Sequence, residues 1–233
     1  MDQSAGFGGA EELTMGINHV YGGPDDLPPS LPIFPLAKAL LLPRGQLPLN
    51  IFEPRYMAMV DDALKGNRLV GMIQPNPEAK KSEALFQVGC VGRITQLAET
   101  GDGRYLLTLT GVARFKIIEE IDALTPYRQA RVDYAPFSID FSPRAGEEMV
   151  DRDGLLRTLR SFAESNELQL DWDSINEAPN EALVNALAMM SPFGPREKQA
   201  LLEATDLKGR ADVLVAITEI ELARGKNAEN TLQ

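Results

Sequence analysis

The sequence predicts an α+β protein, a curled antiparallel β lobe followed by a C-terminal helical bundle, and three observations carry that expectation. From Phe86 to Tyr134 apolar and polar residues alternate, the period of a sheet with one buried face. Past Pro136 apolar residues recur every three or four positions, the period of helices packed on one side. Ahead of both lies an apolar, proline-dense stretch, LPIFPLAKALLLPRGQLPLNIFEPRY at residues 31–56, which reads as strand, turn, strand and helix start.

Residues 1–29 are rich in Gly, Asp and Pro and read as a mobile tail. A helix at residues 10–15 would be too short to stand without docking. In the opening strands Pro32, Pro35, Pro43 and Pro48 offer no amide donor, which places them at a sheet edge or a bulge. Pro54 suits the first helical position, and Tyr56, Met59, Val60, Ala63 and Leu64 form one stripe on a helix ending at Lys65. Residues 69–74 are a short apolar strand, and 75–83 are a polar loop. Strands at 88–98 and 105–110 flank the turn TGDG, whose Asp and Gly accept positive φ. Further strands are expected at 115–121 and 127–134, with Gly89, Gly92 and Gly111 marking bulges or close backbone approach.

Beyond the sheet, helical stripes run over residues 147–164, a short turn carries Trp172 and Ile175, and a third segment spans Leu183 to Met190 and breaks at Pro192. A helix opens at Pro195, and the last covers residues 210–222. The segment FSIDFSPRAG between the two periodicities reads as an exposed linker. The resulting division is a tail (1–29), a β lobe (30–137), a helical lobe (138–225) and a C-terminal tail (226–233).

Composition narrows the function. With 23 basic and 34 acidic residues the net charge is -11, which disfavours nucleic acid and anionic membrane as partners. No apolar run reaches the roughly 20 residues of a membrane-spanning helix. The opening residues MDQSAGFGGAEEL lack a basic n-region and an apolar h-region, so a cytoplasmic location is expected. Cys90 is the single cysteine, which leaves no internal disulfide and fits an inert core thiol. His19 is the single histidine and sits in the tail, so neither a histidine-based triad nor a multi-histidine metal site can be assembled. The acid pairs Asp61-Asp62, Glu119-Glu120, Glu147-Glu148 and Asp171/Asp173 read as solvated faces, and no phosphate loop is present. No catalytic residue, metal site or cofactor is therefore expected.

The segments LPIFPLAKALLLPRGQLPLNIFEPRY at 31–56, TGVARFKI at 110–117 and ALVNALAMMSPFGPREKQALLEATDLKGRADVL at 182–214 resemble, in that order, the N-terminal substrate-binding domain of Lon-type ATP-dependent proteases. The resemblance covers residues 31–223 and matches the stand-alone bacterial form. It implies a six-stranded pseudo-barrel of PUA-like shape joined to a helical bundle. It also implies a non-enzymatic module that binds unfolded or exposed apolar polypeptide, with a protease or chaperone as partner. Glu53, Arg55 and Met57 are the candidate client-binding residues. Arg55 is read first as a structural tie that pairs with an acid or caps backbone carbonyls, with a recognition surface as the other reading, and Met57 stands out because it falls off the helix stripe. The methionines at 189 and 190 read mainly as core, with an adaptable client surface as the other reading. Two rival functions are an RNA-binding module using a basic patch around Arg128 and Arg131, and an enzyme with an unrecognised site.

Overall fold

In a computed structural model the chain is described over residues 20–79 and 84–231. The expected tail helix at 10–15, His19 and part of the 75–83 loop lie outside the described residues. The β lobe comprises β1 (Ser30–Pro35), β2 (Gln46–Ile51), α1 (Pro54–Lys65), β3 (Leu69–Ile73), β4 (Val88–Glu99), β5 (Tyr105–Ile121) and β6 (Arg128–Asp133). Their order in the sheet is β2-β5-β4-β3-β1-β6, and the far end of β5 also pairs with β6. The sheet thus curls until the pairing runs from β5 through β4, β3, β1 and β6 back to β5, with β2 outside that loop.

Within this α+β architecture one pairing departs from the antiparallel pattern. β1 and β3 run parallel, because β2 and α1 together form the crossover that a parallel pair requires. The strand expected at 115–121 is the second half of β5, which passes through Gly111 unbroken. The register shift between Val91 and Gly92 leaves Val112 unpaired beside the Gly92–Gly111 pair, a bulge where those two glycines lie, and a second shift falls between Ile94 and Gln96. At Gly111 a Cβ would overlap the Leu42 carbonyl oxygen, so glycine lets the β1–β2 connection lie directly on β5.

The prolines of β1 sit inside the sheet order, and the ladder geometry explains how. The Pro29 carbonyl accepts from Val132 N and the Ile73 carbonyl from Leu36 N, so 31, 33 and 35 face β6 while 32, 34 and 36 face β3. The β6 ladder covers 30–33 and the β3 ladder 33–35. Pro32 faces β3 before that ladder begins, and Pro35 faces β6 after that ladder has ended. Neither removes a bond.

The helical lobe contains α2 (Arg152–Ser165), α3 (Trp172–Glu177), α4 (Asn180–Met190), α5 (Pro195–Glu203) and α6 (Leu207–Thr231). The helix expected from residue 147 begins at Arg152, where Asp151 accepts from Gly154 N at 2.9 Å. Asp171 likewise caps α3 through Ser174 N at 3.2 Å. One core inside the curl draws on β1, β3, β4, β5 and β6, including Ile33, Leu69, Val91, Phe115 and Ala130. The larger core belongs to both lobes, packing Leu41, Leu42, Tyr56 and Met59 with Leu155, Val184, Leu201 and Leu214.

A buried ion pair fastens the lobes. Arg114 in β5 is 1% exposed; its Nε donates to Asp140 Oδ2 at 2.9 Å and its Nη2 to Asp140 Oδ1 at 2.8 Å. Its Nη1 donates to the carbonyls of Leu202 and Ala204 at the end of α5. Asp140 lies in the segment expected to be an exposed linker. Ser138, Ile139, Ser142, Pro143 and Arg144 of that segment are exposed, while a 3-10 turn over Ala135–Phe141 carries Asp140 into the core against Arg114. Removing one partner of such a pair leaves a buried charge, at a cost of about 3–5 kcal/mol. Arg114→Ala and Asp140→Ala should each lose that much in urea unfolding, and the double variant should lose clearly less than their sum. Additive losses would show that the two side chains act independently.

Candidate functional site

The three expected residues sit at the start of α1. Glu53 is the N-cap, and Arg55 Nε and Nη2 donate to Glu53 Oε2 at 3.0 and 2.8 Å. The Arg55 guanidinium also lies 4.7 Å from the Tyr56 ring centroid. Arg55 is thus the tie to an acid, and a pair this exposed contributes about 0–1 kcal/mol. Met57 is half-buried against the shared core. One turn on, Asp61 accepts from the Tyr105 hydroxyl and Asp62 from that of Tyr127, both at 2.9 Å. Burial, then the Asp62 bond, pushes the Tyr127 phenol up to about 12. Phe52, just before Glu53, is 60% exposed with the Arg104 guanidinium 5.8 Å from its ring centroid. It follows the buried Ile51, so the alternation of β2 carried one residue further turns its ring outward.

From Phe52 back to Gln46 runs β2, the free edge of the sheet. The Thr108 carbonyl accepts from Thr95 of β4, while Gly111 exchanges bonds with Arg44 and Gly45. Residues 105, 107, 109 and 111 of β5 therefore face β2, and their partners Leu47, Leu49 and Ile51 are the bonded ones. Gln46, Pro48 and Asn50 point their backbone groups outward. Pro48 has no N–H to offer there, so continuous pairing along this edge is interrupted at its middle.

At the Gln46 end the edge opens into a groove of about 530 Å³ between the lobes. Its apolar lining comes from Pro43, Pro143, Ala182, Ala186, Met189 and Met190, the last 83% exposed. Gly45 forms part of the wall, and a Cβ there would overlap the Met189 sulfur. The polar end is held by Glu181. Its carboxylate accepts from Arg44 Nε at 3.0 Å, from Arg44 Nη2 and from the Arg144 amide at 2.9 Å. Arg44 Nη1 donates to the Asp140 carbonyl at 2.6 Å, and Arg144 Nε to Glu147. Burial raises the Glu147 carboxyl, but the Glu181 amide and the Arg144 guanidinium outweigh it and hold it below the usual range.

Other chemistry is thin. Among the described residues no group of three or more His, Cys, Asp or Glu could hold a metal ion. Cys90 is 1% exposed, and burial pushes its thiol up, away from the reactive thiolate. No helix among the described residues is long and apolar enough to cross a membrane.

Residues 30–219 match the family model described as the ATP-dependent protease La (LON) substrate-binding domain. The chain belongs to that family. It is 29% identical over 203 residues to Lon protease 2 of Myxococcus xanthus, covering 83% of this chain and 24% of that protein. With Lon protease 2 of Sorangium cellulosum the identity is 30% over 209 residues, covering 84% and 26%. The chain thus spans about a quarter of the length of the curated relatives it matches. Its fold is similar to a Lon N-terminal domain protein from Xanthomonas campestris, with TM-score 0.58, 20% identity and coverage of 80% and 97%. It is also similar to the N-terminal domain of a Mycobacterium avium complex Lon protease, with TM-score 0.60, 18% identity and coverage of 82% and 98%.

As a Lon substrate-binding domain the chain is a substrate-recognition module, and two arginines considered for RNA are engaged elsewhere. Arg128 Nε donates to Glu120 at 2.8 Å, and Arg131 Nη2 lies 2.6 Å from Glu119. Those acids answer the Glu119-Glu120 pair of the sequence. The groove itself was hidden because Arg44 and Glu181 are 137 residues apart. If Pro48 guards the free edge of this Lon-type domain, Pro48→Thr restores an outward N–H. The variant should stay folded and show concentration-dependent association in sedimentation velocity; one that sediments like the parent would mean the edge is guarded by something else.

Proposed function

We propose that the chain binds extended, apolar polypeptide segments along β2, seated in the lobe-junction groove, and neither hydrolyses nucleotide nor cleaves its client. The observation that carries this reading is the groove at the open end of a free edge strand, lined by two methionines. Methionine side chains adapt to varied apolar shapes, and outward Gln46 offers a main-chain donor and acceptor to an extended segment. From Gln46 the six residues of β2 run roughly 20 Å to Phe52, Glu53, Arg55 and Met57, which form the far end of the path. Family membership supports substrate recognition, and the domain's resemblance to Lon relatives supports polypeptide as the client. A role as adaptor or regulator in protein quality control follows as part of the same proposal.

Magnitudes place the affinity. Two client side chains fully covered contribute roughly 3–6 kcal/mol before ordering costs, and micromolar binding requires about 8 kcal/mol. One or two main-chain hydrogen bonds add about 1 kcal/mol each. Binding of a short segment is then weak, apolar and little affected by salt. Fluorescence titration with labelled, reduced casein should give a dissociation constant at or above the micromolar level that changes less than about threefold between low and high salt. Met190→Glu should weaken binding about tenfold or more, roughly 1.4 kcal/mol, with Met57→Glu giving a smaller loss. Binding that collapses in salt, or withstands both substitutions while RNA binds more tightly, would transfer the assignment to the RNA-binding reading. ATP turnover or casein cleavage by the pure chain, abolished by a point substitution in it, would make it an enzyme.

A further inference from the structure

We propose that the lobe-junction groove prefers client segments in which an internal acidic residue adjoins an apolar pair, its carboxylate taken by the terminal nitrogens of Arg144. The inference rests on the groove being the client site. The two arginines of the groove differ in what they have left to give. Arg44 spends Nε and Nη2 on Glu181 and Nη1 on the Asp140 carbonyl. Arg144 spends only Nε on Glu147, its amide on Glu181, and its side chain is 68% exposed. Among the described residues its Nη1 and Nη2 have no protein partner. The Glu147 carboxylate holds the guanidinium through Nε and the Glu181 carboxylate fixes the backbone beneath it, so part of the ordering of the fork is already done. A carboxylate matches two parallel N–H donors better than any neutral side chain does.

The occupant is an internal residue because the groove does not end at Arg144. A second depression of about 500 Å³ continues beyond it, sharing Arg144 and Pro179 and lined further by Glu148, Arg152 and Asn180. A chain terminus would be caught by a blind end, whereas this path lets the segment run through. The net charge of -11 repels an acidic client at long range, but salt screens that repulsion beyond about 8–10 Å. The Arg144 contact acts at hydrogen-bond distance and is screened far less.

A double-mutant cycle tests this with two fluorescein-labelled peptides, one carrying Leu-Phe-Glu in a Gly/Ser sequence and a twin carrying Leu-Phe-Gln. The parent protein should bind the Glu peptide about three- to tenfold more tightly. Arg144→Gln should erase the preference, and Arg144→Lys, which keeps the charge without the fork, should keep only part of it. Thermal melts confirm that each variant is folded. Equal binding of the two peptides by the parent, or a preference that survives Arg144→Gln, overturns the inference. If Met190→Glu still weakens both peptides in that case, the groove stands as the client site. If it weakens neither, the client lies elsewhere and both readings fall.

Discussion

Burying the Arg114 guanidinium is the constraint on which the rest of the structure depends. A cation taken out of water must have its donors occupied, or the fold loses several kcal/mol. No single element supplies enough acceptors. The Asp140 carboxylate comes from the turn after the sheet, and the carbonyls of Leu202 and Ala204 come from the end of α5. Satisfying one side chain therefore fixes where the chain leaves the β lobe and where the helical lobe docks. Asp140 passes the constraint on, since its own carbonyl holds Arg44 Nη1 while its side chain holds Arg114. Arg44 then orients Glu181, and Glu181 takes the amide of Arg144. The polar wall of the groove is the last link of a chain that begins in the middle of β5.

The groove combines a fixed frame with a soft lining. Its frame is anchored in a core that both lobes share, so opening it by hinge motion would expose Leu41, Leu42, Val184 and Leu201, each 2% exposed or less. Fully burying a side chain of that size contributes about 1.5–3 kcal/mol, and losing several at once exceeds what a weakly bound segment could return. Adaptation has to come from side chains instead. Met189 and Met190 provide it, having three rotatable bonds each and no branching. Gly45 leaves room for the Met189 sulfur against the wall, which sets the depth of the lining without a change of backbone.

What could be read in the sequence was what is local. The α1 stripe, the TGDG hairpin and the helical periodicities depend on neighbours a few residues away, and each has its element in the structure. A tie from Arg55 to an acid was one reading the helix start left open, and the acid it meets, Glu53, stands two residues away. The parallel β1–β3 pairing was not, because alternation along a strand says which face is buried and nothing about the direction of its neighbour. FSIDFSPRAG carries the composition of an exposed linker, and only an arginine 26 residues upstream makes its aspartate a core residue. Arg114 left one trace: it stands between Ala113 and Phe115, both fully buried, on the opposite face of a strand that is covered on both sides there, opposite the buried Cys90. Met57 was singled out for leaving the helix stripe, yet the most exposed methionine among the described residues is Met190, in a helix apolar enough to read as core.

A free strand edge poses a problem that the proposed binding mode must also solve. Unpaired backbone groups capture any extended chain regardless of sequence, including a second copy, and continuous pairing makes such capture hard to reverse. β2 presents three outward residues, and the middle one is a proline. Pro48 withholds one donor from the middle of that ladder, so the main-chain bonds left to Gln46, Asn50 and the Pro48 carbonyl contribute about 1 kcal/mol each without forming a continuous run. The remaining affinity must come from side chains lodged beside Met189 and Met190 and from whatever Arg144 receives. Pro48 thereby moves discrimination from the backbone, which every polypeptide shares, to the side chains, which differ between clients. It also keeps the sum small enough for release.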